Sequence, residues 1–325
     1  MKIERTECFL IEHGDLILPW LTHQQLANIS LTCKSLHYLT RIITRNRISD
    51  ASRTFESFPI PFLNNNNNNN TYSYFLYTPS ILYNNNIPRY QPWGNSVISP
   101  SPVWRNHDET VTFVDVVGCD CGEICRDGCA CLGFFDGLDD MGRECGPGCF
   151  CGGECGNRVS QNGVAVRVKI VRDERKGWGL FADQFVGKGM FLFQYAGELL
   201  TTKEAQRRQK HYDELASCDR FSSALLVVRE HLPSGNACLR LNIDATRIGN
   251  VARFVNHSCD GGNLSTKLVR STGSLFPRLC FFASKDIQED EELTFSYGEI
   301  RKRSNGLPCY CNSPSCFGTL PSEDT

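Results

Sequence analysis

The chemistry most legible in this chain is carried by its cysteines. Cys119-x-Cys121-x3-Cys125-x3-Cys129-x-Cys131 supplies five thiols, and Cys145-x3-Cys149-x-Cys151-x3-Cys155 follows with four more. Nine is an odd number for disulfides and does not divide into separate tetrahedral sites. Three tetrahedral zinc ions need twelve thiolate positions, and nine sulfurs supply twelve when three of them bridge. Near the C-terminal end, Cys309-x-Cys311-x4-Cys316 offers three ligands. Zinc wants a fourth, and Cys259 is available for it. Sites closed by four thiolates are structural, so this metal shapes a scaffold and does no chemistry on a substrate.

Cys259 ends a second conspicuous stretch, Arg253-Phe254-Val255-Asn256-His257-Ser258-Cys259. An ordinary core strand does not carry Asn-His-Ser together, because each buried polar group needs a partner. Upstream, Lys176-Gly177-Trp178-Gly179 sets two glycines around an indole, so main chain can approach a ligand closely. Phe191 to Leu200 is an apolar run broken at Gly197, with Tyr195 just before the break. Downstream lies Glu292-Leu293-Thr294-Phe295-Ser296-Tyr297.

Taken in order, these blocks resemble the SET domain of protein-lysine methyltransferases of the suppressor-of-variegation class. The nine cysteines, continued by Gly156 to Gly163, resemble its pre-SET module, and the tail its post-SET module. The resemblance covers about residues 111–320. It implies a mainly β fold with short helices, a knot-like arrangement of small sheets, and methyl transfer from S-adenosylmethionine to a lysine ε-amine. Lys176, Gly177, Trp178, Gly179, Phe221, Arg253, Asn256 and His257 are then expected at the cofactor, and Tyr195, Phe295 and Tyr297 around the target lysine. Four structural zinc ions are implied, three in the cysteine cluster and one in the tail. The expected substrate is the histone H3 tail on the nucleosome, usually at position nine, in the nucleus. The chain departs from the family pattern at Arg247, Ile248 and Phe221, where relatives carry tyrosines, and at Asp290 and Ser296.

The elements that must position these residues follow from pattern. Val164 to Val171 alternates as a half-buried strand does. Leu279 to Ala283 reads as a buried strand, and Ala224 to Ile243 as a hairpin around Leu232-Pro233-Ser234-Gly235-Asn236. Val111 to Val117 is a short strand candidate. Thr202 to about Leu215 reads as a solvated, charged helix. Five units are expected: residues 1–50 helical, 51–110 an Asn- and Pro-rich flexible linker, 111–163 pre-SET, 164–298 SET and 299–325 post-SET. Within the first, Thr22 and Gln25 have capping-box spacing. Residues 16–48 are similar to an F-box, which implies contact with a ubiquitin-ligase adaptor; a helical pair packed on the rest of the chain is the other reading.

Charge and hydropathy exclude some classes. There are 34 Lys+Arg against 36 Asp+Glu, so binding of nucleic acid through phosphate neutralisation is not expected. No run of 18 apolar residues is present, which rules out a spanning helix. Eighteen cysteines without a signal-peptide pattern point to metal binding and not to disulfides. Cys8, Cys33, Cys218, Cys238 and Cys280 are left as small apolar residues.

Overall fold

The structure is a computed structural model that describes residues 9–64, 71–83, 118–126, 129, 131, 141–216, 223–231, 238–298 and 307–321. Short helices α1 (Phe9–Glu12) and α2 (Gly14–Ile17) precede α3 (His23–Ser30) and α4 (Lys34–Ser49). Thr22 caps α3 through the capping box with Gln25, as the spacing predicts. Leu18, Leu26, Leu36 and Ile43 close into a small core of their own. Arg47 then fastens this unit to the body, its guanidinium donating to the carbonyls of Pro19 and Leu21 at 2.7 Å each and to the Tyr72 hydroxyl at 3.2 Å. The helical pair is therefore packed on the rest of the chain.

The flexible linker expected over 51–110 needs correction where residues are described. β1 (Phe62–Leu63), β2 (Leu76–Tyr77) and β3 (Leu82–Tyr83) each add to a sheet of the main body. Ile60, Phe62, Phe75, Tyr77 and Ile81 are buried in the main core. Asparagine and proline counts suggested a linker because the apolar residues between them are few. Those few are aromatic or branched, and fully burying one such side chain is worth about 1.5–3 kcal/mol. Short pieces can thus be ordered strand by strand.

The body is a set of small sheets. β5 (Val168–Asp173) and β6 (Gly177–Ala182) form a hairpin, with β1 parallel on the far edge of β5. The alternation upstream is realised: Val164, Val166, Val168 and Ile170 are buried while Ala165 and Arg167 face solvent. β7 (Phe191–Gln194) joins the sheet ordered β4 (Met141–Glu144), β12 (Leu264–Ser271), β13 (Arg278–Ala283), β7. β8 (Gly197–Leu200), β9 (Leu225–His231) and β10 (Cys238–Gly249) join β2 and β3, with β9 and β10 antiparallel as the hairpin pattern predicts. The turn of that hairpin and the strand expected at 111–117 lie outside the described residues.

α5 (Thr202–Ala216) is less solvated than its charge suggests. Arg208 reaches inward to Glu198 and to the fully buried Asp244, each at 2.7 Å. Burial alone would raise the Asp244 pKa. Hydrogen bonds from Thr246, Arg208 and Tyr212 outweigh it and hold the carboxylate below its ordinary range.

Two segments remote in sequence meet last. β11 (Asn256–His257) and β14 (Thr294–Phe295) pair in parallel, Asn256 opposite Thr294 and His257 opposite Phe295. This brings the heptapeptide beside the Tyr297 block, as a knot-like SET fold requires.

Candidate active site

Tyr297 stands where β14 leaves β11. Its hydroxyl donates to the Val255 carbonyl at 2.8 Å, and its backbone N–H donates to His257 Nδ1 at 3.2 Å. His257 Nδ1 must then carry a lone pair, which places the ring proton on Nε2, 3.2 Å from Cys259 Sγ. Burial lowers the His257 pKa and so favours this neutral form. Tyr195, from the break between β7 and β8, donates its hydroxyl to the Ala224 carbonyl at 2.7 Å. Both hydroxyl protons are thereby committed to main-chain carbonyls, which leaves oxygen lone pairs free to accept.

The rings around these hydroxyls form a continuous wall. Phe295 lies 5.0 Å from Tyr297 and 4.9 Å, edge-on, from Phe281. Tyr195 lies 6.5 Å from Phe281 and His257 5.2 Å from Tyr297. Although 37% of Tyr297 is exposed, its hydroxyl is turned inward onto the Val255 carbonyl. Burial pushes its pKa up, with Glu292 adding to the rise, and burial does the same for Tyr195. Both phenols stay protonated at neutral pH. Phe281 was not among the expected site residues; its place inside the apolar run 279–283 marked it as core and nothing more.

Lys176, Gly177, Trp178 and Gly179 open β6 and face the heptapeptide. Gly177 has φ +84°, a conformation that side chains rarely adopt. A Cβ on Gly179 would lie 3.0 Å from Glu292 Oε1 and 3.1 Å from Asn256 Nδ2, so glycine keeps this passage open. Glu292 ties the region together, pairing with Lys176 Nζ at 2.6 Å and accepting from Asn256 Nδ2 at 2.9 Å. It lay within the quoted block, but no spacing argument singled it out. Beside it a polar cavity of about 200 Å3 reaches from Asn263 and Thr294 to Cys311. Arg253 stands behind this site and not in it. Its guanidinium donates to the Ala245 and Thr246 carbonyls at 2.8 and 3.1 Å, and burial lowers its pKa to about 10. Phe221 lies outside the described residues.

The cysteines gather as expected. Cys259, Cys309, Cys311 and Cys316 have sulfurs all within 4.8 Å of one another. In the large cluster three such groups form: Cys119, Cys131, Cys145 and Cys149; Cys119, Cys125, Cys129 and Cys145; and Cys125, Cys145, Cys151 and Cys155. Sulfur separations of 3.4 to 3.9 Å for the Cys119, Cys125 and Cys145 trio match a tetrahedral zinc with bonds of about 2.3 Å and are far too long for disulfides. Cys121 packs against the cluster but falls outside the three groups. Nine thiolates on three divalent ions would leave excess negative charge, and Arg158 is placed to meet it, donating to Cys151 Sγ and to the carbonyls of Cys145, Gly146 and Cys151. Of the remaining cysteines, Cys280 is buried as expected, whereas Cys33 and Cys238 are exposed. Cys8 and Cys218 lie outside the described residues.

A family model described as the SET domain matches residues 177–298. The chain is 54% identical over 331 residues to the Arabidopsis thaliana histone-lysine N-methyltransferase SUVR3, across 96% of this chain and 91% of that protein. The chain belongs to the SET-domain histone-lysine N-methyltransferases. Among solved structures, the methyltransferase domain of human SETMAR aligns with a TM-score of 0.62 at 28% identity, covering 84% of this chain and 97% of that one. KRYPTONITE, solved with mCHH DNA, an H3(1-15) peptide and SAH, aligns with a TM-score of 0.60 at 25% identity, covering 84% of this chain and 53% of that one. The SET-domain reaction is methyl transfer from S-adenosylmethionine to a lysine ε-amine. Among the described residues, no helix of this methyltransferase is long and apolar enough to cross a membrane.

Proposed function

We propose that this methyltransferase modifies the histone H3 tail, with position nine as the target, and acts on chromatin in the nucleus. The carrying observation is the single aromatic enclosure in which Tyr195, Phe281, Phe295 and Tyr297 meet beside the Lys176 to Gly179 turn. Support for the substrate comes from the relatives, one of which was solved holding an H3(1-15) peptide. S-adenosylmethionine supplies an electrophilic methyl group on a sulfonium. Gly177, Gly179 and the Asn256 amide would hold it, with Glu292 fixing Asn256 and Lys176 in place. The target amine must be neutral to attack, yet a free lysine has a pKa of about 10.4. Rings that exclude water disfavour the ammonium, as does a nearby cation. The Tyr195 and Tyr297 oxygens then accept from the amine and aim it, so alignment supplies most of the rate. An H3 segment would add along the β9–β10 hairpin as an extra strand.

Incubating zinc-loaded protein with labelled cofactor and core histones, followed by mass spectrometry, tests this reading. Label on H3 that disappears when position nine is arginine supports it. Label confined to other histones would refute the substrate assignment. The comparisons lend no support to an adaptor contact by residues 16–48, and for that unit we propose a bracing role within the chain.

Two variants probe the pocket. Phe295 carries no hydroxyl to anchor a water in the space a growing methylammonium needs, so the wild type should reach di- or trimethyl-lysine. Phe295→Tyr should shift products toward monomethyl-lysine, an effect of about 1–2 kcal/mol. Product ratios on a tail peptide over time decide this; a wild type that stops at monomethyl contradicts it. Glu292→Gln removes the charge that pairs with Lys176 and should raise KM for S-adenosylmethionine by about fivefold, leaving the peptide KM alone.

A further inference from the structure

The family match begins at Gly177, yet the surfaces behind the cofactor-side residues come from more than a hundred positions upstream. We infer that Phe62 and Phe75 are positioning residues of the cofactor site, holding the Trp178 indole and the Arg253–Phe254 turn from behind. The inference rests on the methyltransferase reading above and adds a part to it.

The contacts are specific. Phe62 meets Trp178 edge-on at 5.1 Å and 77°, and meets Phe254 at 5.7 Å and 90°. Phe75 meets Phe254 at 5.5 Å and 74°, and the Arg253 guanidinium lies 4.9 Å over its ring. Main chain reinforces them. β1 runs parallel to β5, the strand that leads into Lys176, with Ile170 N–H donating to the Pro61 carbonyl at 2.9 Å. β2 runs parallel to the end of β10, the strand that leads into Arg253, with Thr78 N–H donating to Gly249 at 2.9 Å. Both strands that deliver cofactor residues therefore carry an upstream strand on one edge.

Trp178 needs such support more than most residues. It sits between Gly177 and Gly179, where the backbone has the most freedom to lose. Within its own hairpin the indole meets Arg172, its cross-strand partner 5.3 Å over the ring, and Phe62 then packs on its edge from outside the hairpin. The support is itself anchored. Tyr72 packs on Phe62 at 6.2 Å and accepts from Arg47, while Arg53 donates to the Phe75 carbonyl at 2.8 Å. A site whose binding-competent form is populated only in part binds more weakly by that fraction.

The test measures KM for S-adenosylmethionine, KM for the H3 peptide, kcat and SAH affinity by calorimetry on the full chain. Phe62→Ala should raise both the S-adenosylmethionine KM and the SAH Kd by about tenfold, the scale of two aromatic pairs, with kcat and peptide KM within about twofold. Phe62→Leu keeps apolar volume and folds in case the alanine variant does not; its shift should be about threefold. Ile81→Ala is the control, since Ile81 is buried in the same core but is not one of the rings paired with Trp178 or Phe254. It should lower Tm and leave SAH binding unchanged. Folded Phe62→Leu with wild-type SAH affinity overturns the inference, as does an equal loss in Ile81→Ala. A wild type that does not bind SAH at all overturns the functional reading and this inference with it.

Discussion

Tyr297→Phe is expected to lower kcat by about 100-fold or more while SAH affinity and Tm stay near wild type. The substitution keeps the ring against Phe295 and His257 and keeps the backbone N–H on His257 Nδ1. It removes one oxygen. Folding loses the bond to the Val255 carbonyl, worth about 1 kcal/mol. Turnover should lose more, because in the proposed mechanism that oxygen accepts from the attacking amine and sets its line of approach. The ring alone cannot aim a nucleophile. Equal activity in the two proteins, measured by peptide mass spectrometry, would remove Tyr297 from the mechanism.

The second large effect is expected from Cys316→Ser. The wild type should hold four zinc ions by mass or atomic emission, and the variant three. More than about 90% of the activity should go with the missing ion, since a structural zinc site contributes its binding energy to folding the segment around it. The route to the active site is short. Cys259 belongs to the same quartet as Cys316, His257 Nε2 faces the Cys259 sulfur, and His257 Nδ1 holds the Tyr297 backbone. Without the ion, the link from the tail to Tyr297 loosens at its far end. A variant that keeps four ions, or loses one and remains fully active, contradicts the assignment.

Much of this site was legible in the sequence because its parts are local patterns. Cysteine spacing determined which sulfurs could gather, and the structure gathers them, Cys121 excepted. Tyr195, Asn256, His257 and Tyr297 lie in blocks whose composition makes poor sense as plain core. Glu292, Phe281 and Phe62 were not legible, each for its own reason. Glu292 sits among Glu289, Asp290 and Glu291, and only three-dimensional placement shows which carboxylate turns toward Lys176. Phe281 is fully buried, and only its edge-on contact with Phe295 and its approach to Tyr195 tie it to the aromatic wall. Phe62 lies between proline and an asparagine homopolymer, where composition argues against order. Its partners, Trp178 and Phe254, are far away in sequence, and no window of periodicity spans that distance.

The parallel pairing of β11 with β14 has a consequence for a chain still being made. Asn256 and His257 leave the ribosome some forty residues ahead of Thr294 and Phe295, and Cys316 follows later still. Until then the aromatic enclosure lacks two of its walls and the tail quartet lacks three of its four sulfurs. A chain that stops at Leu293 lacks Phe295, Tyr297 and three sulfurs of the quartet, and is expected to transfer no methyl group. Long-range pairing of this kind also closes slowly, because its loop entropy is spent before its contacts form. The order of synthesis thus sets the order of assembly: the pairing of β11 with β14 and the tail quartet are the last parts of the site that the chain can complete.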